Sequence, residues 1–404
     1  QSDGRIVVGG IRYNENNADI ILVRYNPDGS IDKSFDTDGK VITDLGYDEQ
    51  TQDISINSNN KIVLGADYYD RTQSDIAILR YNIDGSLDKS FNSTGTVFVD
   101  TGFDEYIGAI SLQTDDKILV TGNQIKGSRS DVLTARLNTE GKLDMSYNVF
   151  GYVTTDLNLG RGFGTSVVQQ SDGKILVSGT RDNSFGTNLR NALIRYFANG
   201  MLDTTFGTRG IVYTVLSQID FSNDAIIQKD GKILVAGATY NGANLDIVVL
   251  KYNSNGSLDN TFNLNGIKQI DFSAYYANSI TINEDGNIYI CAESEAYEFN
   301  DFVLLSISNS ISNTSTSNGV QVIESVAVNP NPCSNQTTLQ FSNILDHARI
   351  EIWNSNAQMV QKEEDVSGLQ YRINLDNLIH GIYIVKVIDR NTNLSTNKML
   401  VKME

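Results

Sequence analysis

Short apolar segments separated by polar turns run through most of this chain. Around residues 220–273 four such segments follow one another, namely FSNDAIIQ, KILVAGA, DIVVLKYN and IKQIDFS. Their Val, Ile, Leu and Tyr residues, with Gly, Asn and Asp between the segments, are typical of short strands joined by turns. The segment DIVVLKY is apolar at odd and even positions alike, which indicates a strand covered on both faces. The pattern predicts an all-β protein.

The four-segment pattern repeats along the chain. RYNPDGSIDKSF at 24–35 returns as RYNIDGSLDKSF at 80–91, and diverged copies begin at residues 136, 195 and 251. A second motif accompanies it six times, from SDGRIVVGG near the start to KDGKILVAG at 229–237 and EDGNIYICA at 284–292. The opening QSDGRIVVGG is itself the middle of a repeat, so we expect the chain to be a fragment or a processed form.

Repeats of about 55 residues with four strands each have the size of a β-propeller blade. Stacked copies would bury the two apolar faces that one sheet cannot cover alone. A solenoid of parallel rungs is the competing architecture, but its repeats are usually shorter and have fewer hairpins. Residues 1–308 would hold 22 strands, or five and a half blades, within a ring of six to eight blades, seven being favoured. The Asp-Gly pair in QKDGK predicts a two-residue type I′ hairpin turn.

Residues present in every repeat are predicted to be structural, because a catalytic site needs one asymmetric cluster. A cation on a strand covered on both faces needs a neutralising partner. We therefore expect each repeated cation to pair with a repeated Asp, and the repeated aromatic residues to anchor blade packing. The cations are Arg24, Arg80, Arg136, Arg195 and Lys251; the acids are Asp32, Asp88, Asp144, Asp203 and Asp259; the aromatic residues are Phe35, Phe91, Tyr147, Phe206 and Phe262.

Composition excludes several classes of function. The formal net charge is −18, and no Lys/Arg cluster is long enough to follow a phosphate backbone, so no nucleic acid partner is expected. No apolar run approaches the length of a transmembrane segment. The only two histidines, His347 and His380, lie near the C-terminus, which removes His-dependent nucleophiles and His-based metal sites from the first 346 residues. Asp36 and Asp38 suggest a Ca²⁺ loop, but the EF-hand spacing is missing and turn formation explains them better. We expect no catalytic residue, no metal and no cofactor.

Binding is expected where the repeats differ. In an up-and-down blade the 2–3 and 4–1 loops share one face of the ring, and here these loops vary while the opposite face is uniform. Variable loops on a rigid scaffold commonly carry binding residues, and exposed aromatic residues there could stack on a glycan or contact a protein. The candidates are Tyr68, Tyr69, Phe185, Tyr240 and Tyr297. The alternatives are an exported hydrolase with carboxylates in the propeller channel and a purely structural surface spacer.

The pattern changes after residue 308. The Ser/Asn/Thr-rich residues 309–321 have the composition of a flexible linker. Alternating segments then recur to the C-terminus, among them TTLQFSN, ARIEIWNS and GIYIVKVID, and predict about seven short strands over residues 322–404. This number of strands in about 83 residues suggests a small Ig-like β-sandwich.

Both parts resemble known families. Residues 1–308 resemble delta-60 repeat proteins, whose pattern is close to QSDGKILVAG followed by RYNxDGSLDxSF; this resemblance implies a propeller-like fold and no established catalytic chemistry. Residues 322–404 resemble the type A C-terminal sorting domain of type IX secretion, through VNPNP at 328–332, LIHGIYIVKV at 378–387 and NKMLVK at 397–402. The sorting-signal residues are then Asn329, Pro330, Asn331, Pro332, Gly381, Tyr383 and Lys398.

The second resemblance implies a destination and partners. Such proteins pass through the periplasm and cross the outer membrane by a translocon that recognises this domain. A shuttle protein and a sortase-like component then act on it, and the domain is removed. We therefore expect a precursor that retains its sorting domain and is delivered to the outer-membrane surface or the extracellular space. Pro330 and Pro332 would rigidify a strand entry, Gly381 would permit a tight approach, and the last strand would be available for pairing with a receptor edge.

Overall fold

The structure is a computed structural model of the 404-residue chain. It describes residues 1–14, 17–157, 160–182, 189–263, 265–271, 275–294, 302–307, 326–329, 335–354, 358–390 and 395–402. The chain divides into two compact units, residues 1–280 with 293–300 and residues 281–292 with 301–404. The predicted linker, 309–321, lies outside the described residues, so the predicted domain boundaries remain a prediction. None of the helical turns in the described part has the length and hydropathy of a membrane span.

The repeats fold into antiparallel groups of three or four strands, as the sequence predicts, and one parallel pair, Ser130 with Arg161, joins the third and fourth groups into an eight-stranded sheet. The first blade contains β1 (Ile6–Tyr13), β2 (Ala18–Tyr25) and β3 (Lys40–Thr43). The second contains β4 (Asp48–Ile56), β5 (Ile62–Tyr69), β6 (Ser74–Tyr81) and β7 (Thr96–Val99). The third contains β8 (Asp104–Leu112), β9 (Ile118–Lys126), β10 (Arg129–Leu137) and β11 (Tyr152–Thr155).

The remaining repeats have the same order. The fourth blade contains β12 (Arg161–Gln169), β13 (Ile175–Asp182), β14 (Arg190–Tyr196) and β15 (Ile211–Thr214). The fifth contains β16 (Asp220–Ile227), β17 (Ile233–Tyr240), β18 (Leu245–Tyr252) and β19 (Ile267–Ile270). A last three-stranded sheet holds β20 (Tyr275–Ile282), β21 (Ile288–Ser294) and β22 (Phe302–Ile307). The 22 strands seen in the described residues match the predicted division, and the fold is a β-propeller. The number of blades in a closed ring stays a prediction.

The predicted type I′ hairpin turn is wrong. In the segment 228–232, Gly231 N donates to Gln228 O at 2.9 Å, and Gln228 N donates to Lys232 O at 2.8 Å. Only Gly231 in this turn has a positive φ, of 80°. The loop therefore has three residues, a type I turn followed by a left-handed glycine. The 3–4 turns close in the same way, as at Asn253–Ser257, because the Asx side chains cap them locally.

The predicted ion pairs are confirmed within each blade. The Nε atom of each repeated arginine lies 2.6 to 2.9 Å from its aspartate, and Lys251 Nζ lies 3.9 Å from Asp259. A second cation also pairs with each aspartate, and it comes from the turn that precedes the second strand of the repeat. The five cations are Arg5, Lys61, Lys117, Lys174 and Lys232. Burial alone would raise the pKa of Asp203, but hydrogen bonds from Thr205 and the Arg195 charge lower it to about 2.

The same arginines join neighbouring blades. Arg80 Nη1 donates to Thr139 O at 2.6 Å, and Arg136 Nη1 donates to Ala198 O at 2.6 Å. Arg24 and Arg195 make the equivalent bonds to Ile83 and Ser254. Each guanidinium also lies 4.3 to 4.9 Å from the ring centroid of its blade's repeated aromatic residue. Four of these rings are fully buried, as predicted, and pack against a glycine of the next blade's 3–4 turn; Phe262 is half-buried.

The C-terminal segment forms one five-stranded sheet. Its strands are β23 (Val326–Asn329), β24 (Gln336–Asn354), β25 (Met359–Asn374), β26 (Gly381–Asp389) and β27 (Ser395–Lys402). The expectation of about seven short strands is wrong for the described residues, because TTLQFSN and ARIEIWNS belong to one 19-residue strand, β24. Register shifts in β24 between residues 340 and 348 bend it without ending it. The Ig-like sandwich remains a prediction.

Candidate ligand-binding face

Three of the five predicted ligand-binding residues lie in the described part of the chain. Tyr68 and Tyr69 end β5, and Tyr240 ends β17 at the position equivalent to Tyr69. Phe185 and Tyr297 lie outside the described residues. The described three belong to two different blades, so the structure does not bring them into one cluster. Tyr240 donates its hydroxyl to Gly242 O at 3.0 Å within its own loop.

Tyr68 instead packs with two residues that sequence reasoning did not select. Its ring lies 6.0 Å from that of Tyr47 in an edge arrangement and 4.8 Å from that of Phe98. Tyr47 precedes β4 and Phe98 lies in β7, so three separate segments supply the rings. We call Tyr47, Tyr68 and Phe98 the aromatic cluster. Tyr47 is 37% exposed and Phe98 41%, whereas Tyr68 is half-buried between them.

Polar groups border the aromatic cluster. The Arg71 guanidinium lies 5.7 Å from the Tyr47 ring centroid, which adds a cation–π contact at the surface. Burial, together with the negative charge of Asp70, raises the pKa of Tyr68, so its hydroxyl stays protonated. The surface therefore combines apolar ring faces with hydrogen-bonding groups, an arrangement able to bind an amphipathic ligand.

A group of carboxylates nearby was also missed from the sequence. Oxygen atoms of Asp19, Asp44 and Glu49 lie within 4.8 Å of one another, and Asp75, Asp100 and Glu105 form the same arrangement. Each member of the second set follows its counterpart by 56 residues. The repeat period was the available signal, but it cannot show which acidic side chains converge.

The buried carboxylates of the inner strands serve structural roles. Asp53 and Asp67 accept hydrogen bonds of 2.8 Å from Ile110 N and Ile107 N of the next blade. Asp224 accepts a bond of 3.0 Å from Ile280 N. Burial raises the pKa of Asp53 and of Asp67 to about 6. Because these oxygens bind backbone amides between blades, they are poorly placed to act on a substrate.

Asp38, which the sequence suggested as a Ca²⁺ ligand, accepts a hydrogen bond from Lys40 N at 2.9 Å, as expected for a turn residue.

The sorting-signal residues are only partly described. Asn329 ends β23 opposite Thr338, and Lys398 in β27 pairs with Val385; Pro330, Asn331 and Pro332 lie outside the described residues. Tyr383 is buried and donates to Ile379 O at 2.7 Å. The tight approach predicted at Gly381 is wrong for the described part of the chain, where the nearest atom to a Cβ at this position would be Tyr383 Cε2 at 3.9 Å. These residues remain candidates for recognition by the secretion machinery.

Comparison with known families agrees with both halves of this fold. Residues 1–35, 58–91, 113–147, 170–206 and 228–262 match the domain of unknown function DUF5122, a β-propeller family. Residues 327–402 match the secretion system C-terminal sorting domain. Five repeats of the chain therefore match the DUF5122 β-propeller family, and its C-terminal residues match a type IX sorting domain.

Solved structures resemble this fold only distantly. PorZ, a surface component of the type IX secretion system of Porphyromonas gingivalis, is 13% identical with a TM-score of 0.37, over 99% of this chain and 51% of that one. An acylaminoacyl peptidase of Pyrococcus horikoshii is 11% identical with a TM-score of 0.40, over 95% and 56%. The mannose phosphorylase MPT-4 of Leishmania mexicana is 10% identical with a TM-score of 0.33, over 64% and 83%. This chain thus spans about half the length of PorZ. A search of curated proteins found no match.

Proposed function

We propose that this protein is a non-catalytic type IX cargo whose variable face binds a glycan through the aromatic cluster. The sorting domain directs export to the cell surface or the extracellular space, where surface polysaccharides are abundant ligands. The proposal includes the domain division drawn from the sequence, with the propeller at 1–308, the linker at 309–321 and the sorting domain at 322–404. Translocon, shuttle and sortase components would bind the sorting domain.

The observation that carries this proposal is the exposure of the aromatic cluster on the second blade, beside the loop that enters it from the first. Its rings come from a 4–1 loop, the end of a 2–3 hairpin and an outer strand, where the repeats differ in sequence. The equivalent of Tyr68 in the next blade is Gln124, which is buried and hydrogen-bonded. A feature that the next blade does not repeat is better suited to recognition than to blade packing. Aromatic faces bind the C–H face of a sugar ring, while Arg71 can contact its hydroxyl groups.

The binding test compares the full chain with two variants on an array of bacterial surface polysaccharides. Tyr47→Ala combined with Phe98→Ala should weaken binding at least about tenfold, because these two rings supply the exposed contact area. Phe103→Ala is the matched control, since Phe103 occupies the position of Tyr47 one blade later and is 44% exposed. Equal loss in both variants would contradict the proposed site.

The same array distinguishes the other functions. Polysaccharide turnover that a single Asp or Glu substitution abolishes would establish the exported hydrolase instead. Binding to an outer-membrane protein, with no glycan bound, would replace the glycan by a protein partner. A protein that binds neither a polysaccharide nor an outer-membrane protein would be the structural spacer.

A further inference from the structure

The acidic residues Asp19, Asp44 and Glu49 meet at the junction between the first and second blades. Asp19 begins β2, Asp44 follows β3 and Glu49 lies in β4. Asp19 is 2% exposed and Glu49 is fully buried, whereas Asp44 faces solvent. Two carboxylates are therefore withdrawn from water beside a third, which is costly unless positive charge compensates them.

Neighbouring groups only partly compensate this charge. Asp19 accepts hydrogen bonds from Asn14 Nδ2 at 2.9 and 3.0 Å and pairs with the half-exposed Arg12 at 3.4 Å. Asp44 accepts a bond from Gly46 N at 2.6 Å, and Glu49 Oε1 accepts one from Tyr47 N at 3.3 Å. Among the described residues, no group donates a hydrogen bond to Glu49 Oε2, although this atom is buried. An unsatisfied buried carboxylate oxygen is unusual enough to call for a ligand.

The second acidic set shows how the same arrangement is satisfied without a ligand. Glu105 accepts hydrogen bonds from Thr101 through its hydroxyl and backbone N, and Gln124 also reaches it. The residues equivalent to Thr101 and Gln124 at the first junction are Leu45 and Tyr68. Leu45 offers the Glu49 carboxylate its backbone N–H but no side-chain donor, and the Tyr68 ring packs in the aromatic cluster.

The next two junctions lack the complete triad. The third keeps Asp131 and Asp156 at the positions of Asp19 and Asp44 but has Gly162 at the position of Glu49, two residues before the strand bulge. At the fourth, Arg190 replaces Asp19 and lies 3.9 Å from Asp220, which replaces Glu49. A structural requirement of every blade would have preserved the glutamate as well. The first junction keeps all three acids and lacks the side-chain donors that satisfy Glu105.

We propose that Asp19, Asp44 and Glu49 bind a Ca²⁺ ion. Hard carboxylate oxygens are the ligands that Ca²⁺ prefers, at about 2.3–2.6 Å. Two oxygens on one such ion can be at most about 5 Å apart, so the observed limit of 4.8 Å is compatible with shared coordination. Nearby backbone carbonyls and water would supply further ligands, and the exposed Asp44 gives the ion access from solvent.

The electrostatics and the location agree with this assignment. Burial raises the pKa of Glu49 to about 7 although hydrogen bonds from the backbone of Leu45 and Tyr47 oppose the shift, and the charges of Asp44 and Asp19 add to the effect of burial. A divalent cation would remove this penalty by supplying positive charge to all three carboxylates. Extracellular Ca²⁺ modules operate at roughly 10⁻⁴ to 10⁻³ M, and this protein is exported. The inference does not depend on the proposed glycan binding, because it concerns the ion alone.

The test measures Ca²⁺ binding by the full chain after treatment with a chelator. Isothermal titration with CaCl₂ should show binding at this site, and saturating Ca²⁺ should raise the melting temperature by at least about 3 °C. Glu49→Gln should weaken Ca²⁺ binding at least about tenfold. This variant should still fold, because it removes like-charge repulsion rather than a packing contact. Glu105→Gln is the matched control and should keep the response to Ca²⁺.

Three results would overturn the proposal. They are the absence of any Ca²⁺ response in the unmodified chain, an undiminished response in Glu49→Gln, and a response lost in Glu105→Gln alone. MgCl₂ provides a further check, because Mg²⁺ dehydrates reluctantly and demands octahedral geometry. A larger melting shift with Mg²⁺ than with Ca²⁺ would contradict the assignment of Ca²⁺.

Discussion

At the scale of single residues, the repeated Arg–Asp pair does more than neutralise charge. Arg80 contacts Asp88, the ring of Phe91 and a carbonyl of the next blade, so one side chain connects three parts of the fold. The planar guanidinium allows this, because its donors point in several fixed directions. Lys251 has a single ammonium group and lies farther from its aspartate, at 3.9 Å. The identity of the cation therefore affects how firmly a blade joins its neighbour.

Replacing Arg80 by Met should destabilise the propeller by about 3 kcal/mol, because Asp88 would lose one of its two cations inside the protein. Urea unfolding followed by circular dichroism measures this loss. Lys142→Met is the control, since Lys142 and Glu140 are 70% exposed and 4.0 Å apart. It should change the free energy of unfolding by less than about 1 kcal/mol. Similar, small effects of both substitutions would show that the repeated pair is dispensable.

At the scale of elements, a bulge in the first strand of a blade explains a glycine in the second strand. The register shifts between Ile107 and Ala109 in β8, and equivalent shifts occur in β4, β12 and β16. The bulge directs the carbonyl of Tyr106 toward Gly122 in β9, where a Cβ would lie 1.9 Å from that oxygen. The glycine in the second strand, which ends motifs such as KDGKILVAG, is thus required because the backbone of the first strand comes too close for a side chain.

Gly122→Ala should therefore cost at least about 3 kcal/mol, because backbone of a paired strand cannot move aside without disrupting the sheet. Gly10→Ala is the matched control in β1. A Cβ at Gly10 would meet Ile21 at 3.6 Å, an ordinary contact, so this change should cost less than about 1 kcal/mol. Chemical denaturation of both variants provides the comparison. A tolerated Gly122→Ala would mean that the bulge is not rigid.

At the scale of the whole molecule, two groups of aspartates should give the free energy of unfolding a maximum at about pH 4 to 5. Asp53 and Asp67 have their pKa values raised from 3.8 to about 6 by burial, so the folded state binds protons more readily than the unfolded chain. Their contribution to stability grows as the pH falls from 7 toward 4. Asp32, Asp144, Asp203 and Asp259 have pKa values lowered to about 2. Their contribution is complete above pH 3.8 and is lost as the pH falls toward 2.

Urea midpoints measured from pH 7 to pH 2 test this profile. Asp67→Asn should reduce the gain in stability between pH 7 and pH 5, because it removes one carboxylate with a raised pKa. Its amide oxygen can still accept the bond from Ile107 N, and Gln52, which donates to Asp67 at 2.9 Å, can rotate its own amide. Stability that rises steadily from pH 4 to pH 7 would contradict the assignment of these pKa values.

The sequence by itself determined the strands of the propeller, the repeat and the pairing of each repeated cation with its aspartate. Each of these depends on local spacing or on a demand that every blade repeats. The sorting domain could also be identified from its motifs. The hairpin type was wrong because Asp-Gly is compatible with more than one loop length, and side-chain caps decide between them.

Only the tertiary structure decided which residues from distant parts of the chain meet. Tyr47, Tyr68 and Phe98 are separated by 21 and 30 residues, and their contact depends on how β5, β7 and the loop before β4 align in the second blade. Asp19, Asp44 and Glu49 converge because the first blade lies beside the second, and the missing partner of Glu49 Oε2 becomes visible only once its surroundings are known. Spacing along a strand specifies the face on which a side chain lies, but not its neighbour across an interface between sheets.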